Sequence, residues 1–346
     1  MTAEMLPPGL VYVSDEEPGI SRKRSGKGFS YYLPDNFLIK DRAEKERINK
    51  LVIPPAWSDV WICLLPQGFL QVTGRDNKSR KQYKYHPEWT SYSSSEKFLH
   101  LIDFGKALPQ IREQYEADLR KREWTKEKTL ALAVAIMDEG YLRVGNAYYT
   151  RINKSFGLTT LRRKHLKVDK EGLHLEYIGK KGVSRKVDIE NKRLCKLIQR
   201  CSELPGHSLL KYKAGGNLLT ISSSDVNAYL RDISDGKNFT AKDFRTWGAN
   251  ALAIKYHGTA CERVGENPRL KFETTLVKLV ASYLGNTPSV CRSSYLHPKI
   301  LTSACEPGFA AVVQKYTRED ACFEPEELVL MAIIAGSETQ MRRKHT

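Results

Sequence analysis

Five side chains spread along the chain form the set best suited to chemistry: two arginines, a lysine, an amide and a tyrosine. They are Arg143 in LRVGN, Lys180 in IGKKG, Arg245 in FRTW, Asn286 in LGNTP and Tyr295 in CRSSY. Arginines can hold the oxygens of a phosphodiester while negative charge develops on them. A lysine can protonate a departing alkoxide, and a tyrosine can carry a phosphoryl group covalently. The set therefore favours attack on a phosphodiester without help from a metal ion.

Each of these residues also has an ordinary structural interpretation. Arg143 follows a strongly apolar segment, where burial of a lone guanidinium is costly, so an ion pair with Asp138 or Glu139 is the simpler reading. Lys180 lies at a hairpin tip, where lysines are usually solvated. Tyr295 has the spacing of a half-buried core aromatic. Taken one at a time, none of them establishes a catalytic site.

Arg245 carries a different local signal. It falls in the first turns of a predicted helix, where a positive charge opposes the helix dipole. That position is slightly unfavourable for stability, so an anionic partner for Arg245 becomes more attractive.

The stretch GRDNKSRKQYKYHPEW at 74–89 interleaves basic and aromatic residues. Its candidate DNA contacts are Arg80, Lys81, Tyr83 and Tyr85. Basic groups hold phosphates, while tyrosines stack or donate hydrogen bonds. A solvated hairpin with both tyrosines on one buried face explains the same pattern, so this stretch alone leaves both interpretations open.

The charge balance points to a polyanionic partner. The chain has 346 residues with 56 Lys plus Arg and 40 Asp plus Glu, which leaves a net charge of +16. Nucleic acid is the leading candidate, because binding of phosphates releases counterions. No apolar run reaches the ~18 residues that a membrane span requires. The start of the sequence lacks the basic and apolar regions of a signal peptide, so we expect a cytoplasmic protein with no membrane partner.

The cysteines and histidines give no metal or disulfide pattern. Seven cysteines are scattered without a CxxC pair, and eight histidines show no HExxH or HxH spacing. Neither a Walker A sequence nor a dinucleotide fingerprint occurs. We therefore expect reduced thiols, no metal, no cofactor and no small-molecule substrate.

Secondary-structure patterns predict an α+β protein with two domains. Residues 1–93 are predicted to be a small β-rich domain, in which 59–65 and 69–76 form a hairpin and 41–51 forms a short helix. A serine-rich stretch at 90–98 is predicted to be the link between domains.

The second domain, 94–346, is predicted to be mostly α-helical with a three-stranded β insert. The insert consists of KHLKVD, LHLEYIG and SRKVDI. Thr240 and Asp243 have the spacing of a capping box. The predicted helices cover 127–142, 223–233, 240–257, 269–284 and 324–336.

Nine stretches that follow one another in order carry a family resemblance. They are GKGFSYYLPD, IPPAWSDVWIC, QVTGRDNKSRKQYKYHPEW, LRVGNAYY, GLTTLRRKH, IGKKG, DVNAYLRDI, FTAKDFRTW and LGNTPSVCRSSYLHP. Together they cover about residues 20 to 300. In these stretches the chain resembles the type IB DNA topoisomerases, specifically the compact bacterial branch that is similar to the poxvirus enzyme.

The resemblance implies a role for each of the five residues. Tyr295 matches the nucleophile that forms a 3′-phosphotyrosyl link, and Arg143 and Arg245 match the two catalytic arginines. Lys180 matches the hairpin lysine that acts as general acid to the 5′-hydroxyl. Asn286 stands where poxvirus members have histidine and the bacterial branch has asparagine, so it is expected to donate an amide hydrogen bond to a phosphate oxygen.

The resemblance also implies DNA contacts and an architecture. Tyr83, Tyr85 and Tyr149 match tyrosines that contact DNA, whereas Lys181 replaces an acid of the poxvirus hairpin. The implied protein is a monomeric C-shaped clamp around duplex DNA in the bacterial cytoplasm, associated with the nucleoid. It would relax supercoils through cleavage, strand rotation and religation without ATP or metal.

Two alternatives remain open at this point. A tyrosine site-specific recombinase shares the chemistry, but that family usually has His-x-x-Arg at the second arginine, whereas this chain has Asp243 two residues before Arg245. A non-catalytic architectural DNA-binding protein would also explain the positive charge. Such a protein would form no covalent adduct and would tolerate Tyr295→Phe.

Overall fold

The structure, a computed structural model, describes residues 6–170, 172–316 and 322–342. The chain separates into two units, residues 1–98 and 99–346. Separate hydrophobic clusters form the interior of each unit.

The first unit is built on an antiparallel sheet with the strand order β2-β1-β3-β4-β5. The strands are β1 (Ile20–Ser25), β2 (Gly28–Tyr32), β3 (Ser58–Ile62), β4 (Leu70–Arg75) and β5 (Lys81–Tyr85). The predicted hairpin is confirmed, because β3 pairs with β4 and Ile62 lies opposite Val72. Both of these residues are fully buried.

One short helix covers the core of this sheet. It is α1 (Arg42–Lys50), which confirms the helix predicted at 41–51. Asp41 begins it by accepting a hydrogen bond from the Glu44 N–H at 2.8 Å. Ile48 is the buried residue of α1, and it packs with the buried isoleucines and valines of the sheet.

The serine-rich stretch predicted to be a link is helical instead. The helix α2 (Pro87–Leu119) runs through all of 90–98 and crosses the division between the two units. Serine has only a moderate cost in helices, and this stretch contains no glycine or proline that would end one. Beyond it, Phe104 and Leu108 are fully buried, so packing of the C-terminal half favours the helix.

Helices dominate the second unit. The β-sheet of the first unit and this mostly helical core both agree with the predicted α+β organisation. The helices are α3 (Lys126–Gly140), α4 (Ala147–Asn153), α5 (Lys192–Glu203), α6 (Ser223–Ile233), α7 (Ala241–Lys255), α8 (His257–Glu266), α9 (Phe272–Leu284), α10 (Pro288–Ser294), α11 (Pro298–Ala304), α12 (Phe309–Lys315) and α13 (Pro325–Arg342). The five predicted helices are present, although the one predicted at 240–257 ends two residues early and α8 follows it at once.

The helix α3 is the centre of this core. It is apolar on almost every side, and its residues from Lys128 to Asp138 are all buried. Thr125 caps its first turn, and Tyr141 ends it by adopting the left-handed conformation with φ 50°. The helix therefore ends two residues before the predicted end at 142, and Arg143 lies outside it.

Two small sheets complete the second unit. One contains β6 (Leu166–Val168), β7 (Leu173–Ile178) and β8 (Ser184–Ile189), all antiparallel. The other is an unpredicted hairpin of β9 (Lys211–Ala214) and β10 (Asn217–Thr220). Its sequence signal is the pair Gly215-Gly216. Both glycines have positive φ, which a two-residue hairpin turn of this kind requires.

Within the described ranges, no helix has the length and apolar character needed to cross a membrane. The same residues contain no group of three or more histidines, cysteines or acids placed to hold a metal ion.

Candidate active site

Arg143 lies in a loop with a fixed path after α3. The Leu158 N–H donates to the Arg143 carbonyl oxygen at 2.9 Å, so the loop is held from its far side. Gly145 has φ +93°, and a β-carbon on Gly157 would lie 2.5 Å from the Gly145 Cα. Two glycines are therefore needed for this close backbone approach.

The Arg143 side chain contacts the end of α9. Its Nη2 donates to the Gly285 carbonyl oxygen at 3.2 Å and to Asn286 Oδ1. Gly285 adopts the left-handed conformation with φ 60° and ends α9, while the Asn286 N–H returns to the Ala281 carbonyl at 2.9 Å. This helix end thus brings Asn286 to Arg143.

The acids nearest to Arg143 in sequence are engaged elsewhere. The Asp138 carboxylate accepts hydrogen bonds from Arg112 at 2.8 and 2.9 Å. The Glu139 carboxylate accepts the Glu190 N–H at 2.5 Å. Arg143 makes no ion pair with any residue that the structure describes. The structural pairing that its sequence position suggested is therefore not formed.

Arg245, like Arg143, is held by carbonyl oxygens and not by an acid. Only 3% of it is exposed. Its Nη1 donates to the Tyr141 carbonyl oxygen, and its Nη2 donates to the Leu284 carbonyl oxygen at 3.0 Å. Its buried Nε has no hydrogen-bond partner in the described part of the chain. The side chain thus joins the C-terminal ends of α3 and α9.

Asp243, the acid nearest to Arg245 in sequence, is also occupied. Its carboxylate accepts the Thr240 N–H at 2.8 Å and the Thr240 hydroxyl at 3.0 Å, which confirms the predicted capping interaction. Its other oxygen lies 3.3 Å from His100 Nε2. Residues two apart on a helix do not face each other, so Asp243 is not directed at Arg245.

Tyr295 follows directly after α10. Thr287 caps that helix by accepting the Val290 N–H, and the Tyr295 N–H closes it at the Cys291 carbonyl with a 3.0 Å hydrogen bond. The Tyr295 ring is half-buried, and the Arg245 Cζ lies 5.5 Å from its centroid. The structure therefore brings Tyr295 and Arg245 together.

Asn250 is a contributor that the sequence did not single out. It is fully buried in α7. Its Nδ2 donates to the Thr246 carbonyl at 2.7 Å and to the Tyr295 carbonyl at 3.0 Å, while its Oδ1 accepts the His297 N–H at 2.7 Å. One amide therefore fixes the backbone on both sides of Leu296. The available sequence signal was an asparagine within 247–254, a part of α7 that is otherwise apolar.

The two guanidinium groups disfavour each other's charge. Burial first, and then the nearby charge of Arg245, together lower the pKa of Arg143 to about 10. Burial also lowers the pKa of Arg245, while the Tyr295 hydroxyl opposes that shift. A bound anion would relieve both effects. The buried Asn286 Nδ2 also has no partner within the described residues. The cluster is therefore suited to bind a tetrahedral anion beside a tyrosine.

Lys180 lies apart from these contacts. It is exposed and begins a single 3-10 turn, Lys180–Gly182, at the tip of the β7–β8 hairpin. Lys181 has φ 65° there. Lys180 has no hydrogen bond or ion pair with any described residue. The structure thus leaves its ammonium group free at the end of a hairpin.

Arg292 is not part of the cluster, although it lies three residues before Tyr295. It is exposed and pairs with Glu273.

In the first unit, Tyr83 and Tyr85 share one face of β5, as predicted. That face is exposed, not buried: the two residues are 47% and 42% exposed. Their rings stack with centroids 6.1 Å apart and planes 7° apart. The alternative of two core tyrosines is therefore wrong.

The basic residues beside these tyrosines are already paired with acids. Lys81 Nζ lies 2.5 Å from Asp15, whose hydrogen bond raises the pKa of Lys81. Arg80 lies 2.6 Å from Asp76, and its hydrogen bond lowers the pKa of Asp76 to about 2. Much of the local positive charge is thus compensated inside this unit.

Tyr149 lies on α4 with 56% of its area exposed. Asn146 caps this helix, accepting the Tyr148 N–H at 2.8 Å. Tyr148 and Ile152 are 58% and 56% exposed, so α4 presents three large side chains to solvent where the sequence singled out one.

The chain matches two family models. Residues 79–307, about two-thirds of the chain, match the catalytic core of eukaryotic DNA topoisomerase I, and residues 28–76 match the N-terminal domain of bacterial DNA topoisomerase IB. All the candidate site residues from Arg80 to Tyr295 fall within the first match.

Curated viral proteins are also similar. DNA topoisomerase 1B of Acanthamoeba polyphaga mimivirus is 33% identical over 286 residues, which cover 80% of this chain and 85% of the viral protein. DNA topoisomerase 1B of Vaccinia virus (strain Copenhagen) is 24% identical over 308 residues, which cover 84% of this chain and 92% of that protein.

Proposed function

The chain belongs to the type IB DNA topoisomerases, and we propose that Tyr295 is its nucleophile, with Arg143, Arg245 and Asn286 as the phosphate clamp and Lys180 as the general acid. The family acts on DNA and changes its topology, as an isomerase. The observation that carries the assignment is the pair of guanidinium groups near Tyr295, that of Arg245 buried and that of Arg143 partly buried, both bonded only to neutral oxygen atoms.

In the cleavage step, the Tyr295 oxygen attacks a backbone phosphorus atom in line with the bond to the 5′-oxygen. A bond from phosphorus to the tyrosyl oxygen forms and the bond to the 5′-oxygen breaks. The phenolic proton passes to solvent, and Lys180 donates a proton to the leaving oxygen, so a 5′-hydroxyl strand is released. The other DNA end stays on the protein as a 3′-phosphotyrosine.

The clamp residues act on the charge that develops during this attack. Arg143 and Arg245 place fork-shaped donors beside the equatorial oxygens and never lose their charge at neutral pH. The Asn286 amide adds a neutral donor, so this part of the site has no histidine to titrate. Because these groups are fixed by backbone carbonyl oxygens, little reorganisation is needed when the transition state forms.

Strand rotation and religation complete the cycle. The strand with the free 5′-hydroxyl turns about the intact strand and torsion is released. The 5′-hydroxyl then attacks the phosphotyrosine and restores the DNA backbone. The bond energy is kept in the phosphotyrosine throughout, so we propose that neither ATP nor a divalent metal is required.

DNA is held by both regions of the chain in this proposal. Residues 1–93 bind one side of the duplex through Arg80, Lys81, Tyr83 and Tyr85, and residues 94–346 carry Tyr149 and the chemistry. Two such regions on one chain suit a C-shaped clamp that acts as a monomer. The match to a bacterial N-terminal domain supports a bacterial protein. An enzyme that acts on DNA would work at the nucleoid, which remains part of the proposal.

The test is relaxation of negatively supercoiled plasmid in EDTA without ATP, with Tyr295→Phe as the matched variant. We expect relaxation and a covalent protein–DNA adduct from the wild type and neither from the variant. Equal noncovalent DNA binding by the two proteins would show that the variant is folded.

Failure would also be informative. If folded wild-type protein binds DNA but neither relaxes it nor forms the adduct, the proposed mechanism is wrong and an architectural role is favoured. If an adduct forms only at paired specific sites in a protein multimer, a recombinase is favoured.

A further inference from the structure

A third arginine, Arg185, contacts the backbone next to two of the proposed site residues, Lys180 and Asn286. It is on β8 directly opposite Tyr177, and only 7% of it is exposed. It is neither bonded to the proposed phosphate clamp nor paired with an acid in the described part of the chain. Burial of an arginine without an anion is costly, so its contacts require a physical explanation.

The Arg185 guanidinium caps the C-terminal end of α9. Its Nη1 donates to the Ser282 carbonyl at 3.1 Å and its Nη2 donates to the Tyr283 carbonyl at 2.5 Å. The last carbonyls of a helix lack partners within the helix and carry partial negative charge, so a guanidinium is well placed there. These contacts attach the β7–β8 hairpin to α9 through one side chain.

Two glycines show how tightly Arg185 is enclosed. A β-carbon on Gly285 would lie 2.6 Å from Arg185 Nη1, and one on Gly179 would lie 3.1 Å from Arg185 Cγ. Gly179 directly precedes Lys180, and Gly285 directly precedes Asn286. The stem and the tip of the Arg185 side chain therefore contact the backbone just before each of these two residues.

The two partners differ in how well they are held without Arg185. The end of α9 is anchored by Val277, Val280 and Leu284, which are all buried in the main core. The hairpin tip at 180–184 is exposed, and its backbone bonds run between Gly179, Gly182 and Val183. At its base, the Phe156 N–H donates to the Ile178 carbonyl at 2.7 Å, and no backbone bond from outside the hairpin reaches the tip itself in the described part of the chain. Loss of Arg185 would therefore displace the hairpin more than the helix.

We propose that Arg185 is a positioning residue that holds the Lys180 hairpin against the end of α9, so that the general acid reaches the leaving oxygen. This inference rests on the role proposed for Lys180. An arginine is needed because its fork reaches two adjacent carbonyls while its stem packs on Gly179, and a lysine would make only one such bond well.

The test compares two leaving groups in single-turnover cleavage of DNA. One substrate has the ordinary 5′-oxygen at the scissile bond, and the other has sulfur at that bridging position. With sulfur, the Tyr295 oxygen bonds to phosphorus, the phosphorus–sulfur bond breaks and the sulfur leaves as a thiolate. A thiol has a reference pKa of about 8.5, so this leaving group needs no general acid.

We expect Arg185→Ala to slow cleavage of the oxygen substrate by about 10²-fold, as a general acid displaced by about 1 Å would. Cleavage of the sulfur substrate should stay within about threefold of the wild-type rate, since no proton is required. Arg185→Lys should lie between wild type and alanine. Gly179→Ala should give a smaller loss with the same dependence on the leaving group.

Lys180→Ala separates failure of this inference from failure of the proposed function. If sulfur does not restore Lys180→Ala, Lys180 is not the general acid and the proposed mechanism fails. If sulfur restores Lys180→Ala but not Arg185→Ala, then Arg185 does not act through Lys180 and the inference is overturned. An Arg185→Ala rate equal to wild type on the oxygen substrate would also overturn it.

Arg22 is the matched control for a merely structural loss. It lies in the first unit, and its guanidinium likewise donates only to carbonyl oxygens, those of Ile53, Pro54 and Trp57. Any loss of cleavage caused by Arg22→Ala should be the same for the oxygen and sulfur substrates.

Discussion

Positive charge is treated in opposite ways at two places, the arginines near Tyr295 in the second unit and the basic residues beside Tyr83 and Tyr85 in the first. In the second unit, Arg143 and Arg245 are bonded to backbone carbonyls and one amide oxygen, all of them neutral. In the first unit, Lys81 and Arg80 are each paired with a carboxylate. The arginines near Tyr295 are therefore fixed in place while their charge stays uncompensated. The charge of Lys81 and Arg80, beside Tyr83 and Tyr85, is instead compensated by carboxylates.

The difference follows from where nearby acids make their bonds. Asp138 and Asp243 are close in sequence to Arg143 and Arg245, yet they bond to Arg112 and Thr240. Neutral acceptors fix a guanidinium without competing with a phosphate for its charge. A carboxylate would fix it equally well but would have to be displaced by the substrate.

Arg112 shows the other use of a buried arginine in the same unit. It bonds to Asp138 and to Glu327 of α13, both at 2.8 Å. These acids raise its pKa against the effect of burial. This arginine joins α2, α3 and α13, and its charge is not available to a ligand.

The largest effect is expected from a carboxylate placed in the uncompensated cluster. Asn286→Asp would put a fixed negative charge on the atom that now accepts from Arg143, so that Arg143 would be paired and the amide donor lost. We expect single-turnover cleavage to fall by about 10²–10³-fold, the usual cost of removing one such donor.

Asn286→His is the matched control, since neutral histidine can donate a hydrogen bond without pairing with Arg143 as an anion. It should retain most of the activity and add a pH dependence below about pH 6.5. Cleavage by Asn286→Asp within about threefold of wild type would show that neutral fixing of Arg143 is unimportant.

A smaller loss is expected from Asn250→Ala, which removes the amide that fixes the backbone around Tyr295. We expect cleavage to slow by about 10-fold to 10²-fold, because the nucleophile is no longer held in line. Noncovalent DNA affinity should change little. Stability should also fall, since the buried His297 N–H loses its acceptor.

Gln71 of the first unit separates stability from catalysis. It is also a buried amide, and it donates to the carbonyls of Leu65, Pro66 and Gly68. Gln71→Ala should lower the melting temperature by a similar amount while sparing the cleavage step. If Gln71→Ala and Asn250→Ala slowed cleavage equally, the effect of Asn250→Ala would be explained by general destabilisation of the protein.

In the first unit, removal of a carboxylate should strengthen DNA binding. Asp15→Asn would release Lys81, which could then neutralise a phosphate. The slope of log affinity against log salt concentration should become steeper by about 0.9, the value for one added phosphate contact. Asp15→Asn with Lys81→Gln should return the slope to the wild-type value. An unchanged slope in the single variant would remove Lys81 from the DNA contacts.

The smallest predicted effect concerns the ion pair between His100 and Asp243, the acid nearest to Arg245 in sequence. The hydrogen bond to Asp243 raises the pKa of His100 above its usual value of 6.5. Its contribution to folding is therefore complete below about pH 6.5 and is lost as the pH rises through the higher folded-state value. Because His100 is over one-third exposed, we expect a difference of only about 1 °C.

The measurement is the melting temperature of wild type and His100→Gln at about pH 6 and about pH 8.5. At the lower pH, the wild type should have a slightly higher melting temperature than His100→Gln. At the higher pH, the two melting temperatures should be equal. A difference that grows with pH would contradict the sign of this ion pair.

The sequence pattern gave the β3–β4 hairpin, the buried helix α3 and the capping of α7 by Thr240 and Asp243, because each depends on neighbours within a few residues. It failed at 90–98, where serines suggested a link, because burial of Phe104 and Leu108 further along favours a continuous helix. It also missed the β9–β10 hairpin, whose strands are short and alternate weakly, although Gly215-Gly216 is a turn signal.

The amino-acid sequence by itself determined which chemical groups the protein has: two arginines, a lysine, an asparagine and a tyrosine in motifs that resemble those of type IB topoisomerases. Only the tertiary structure decided how their charges are used. Local spacing offered Asp138 or Glu139 to Arg143, but hydrogen bonds from distant parts of the chain engage both acids. Such bonds join residues far apart in sequence, so no short-range pattern reveals them, and the roles of Arg185 and Asn250 follow only from the distant backbone groups that they contact.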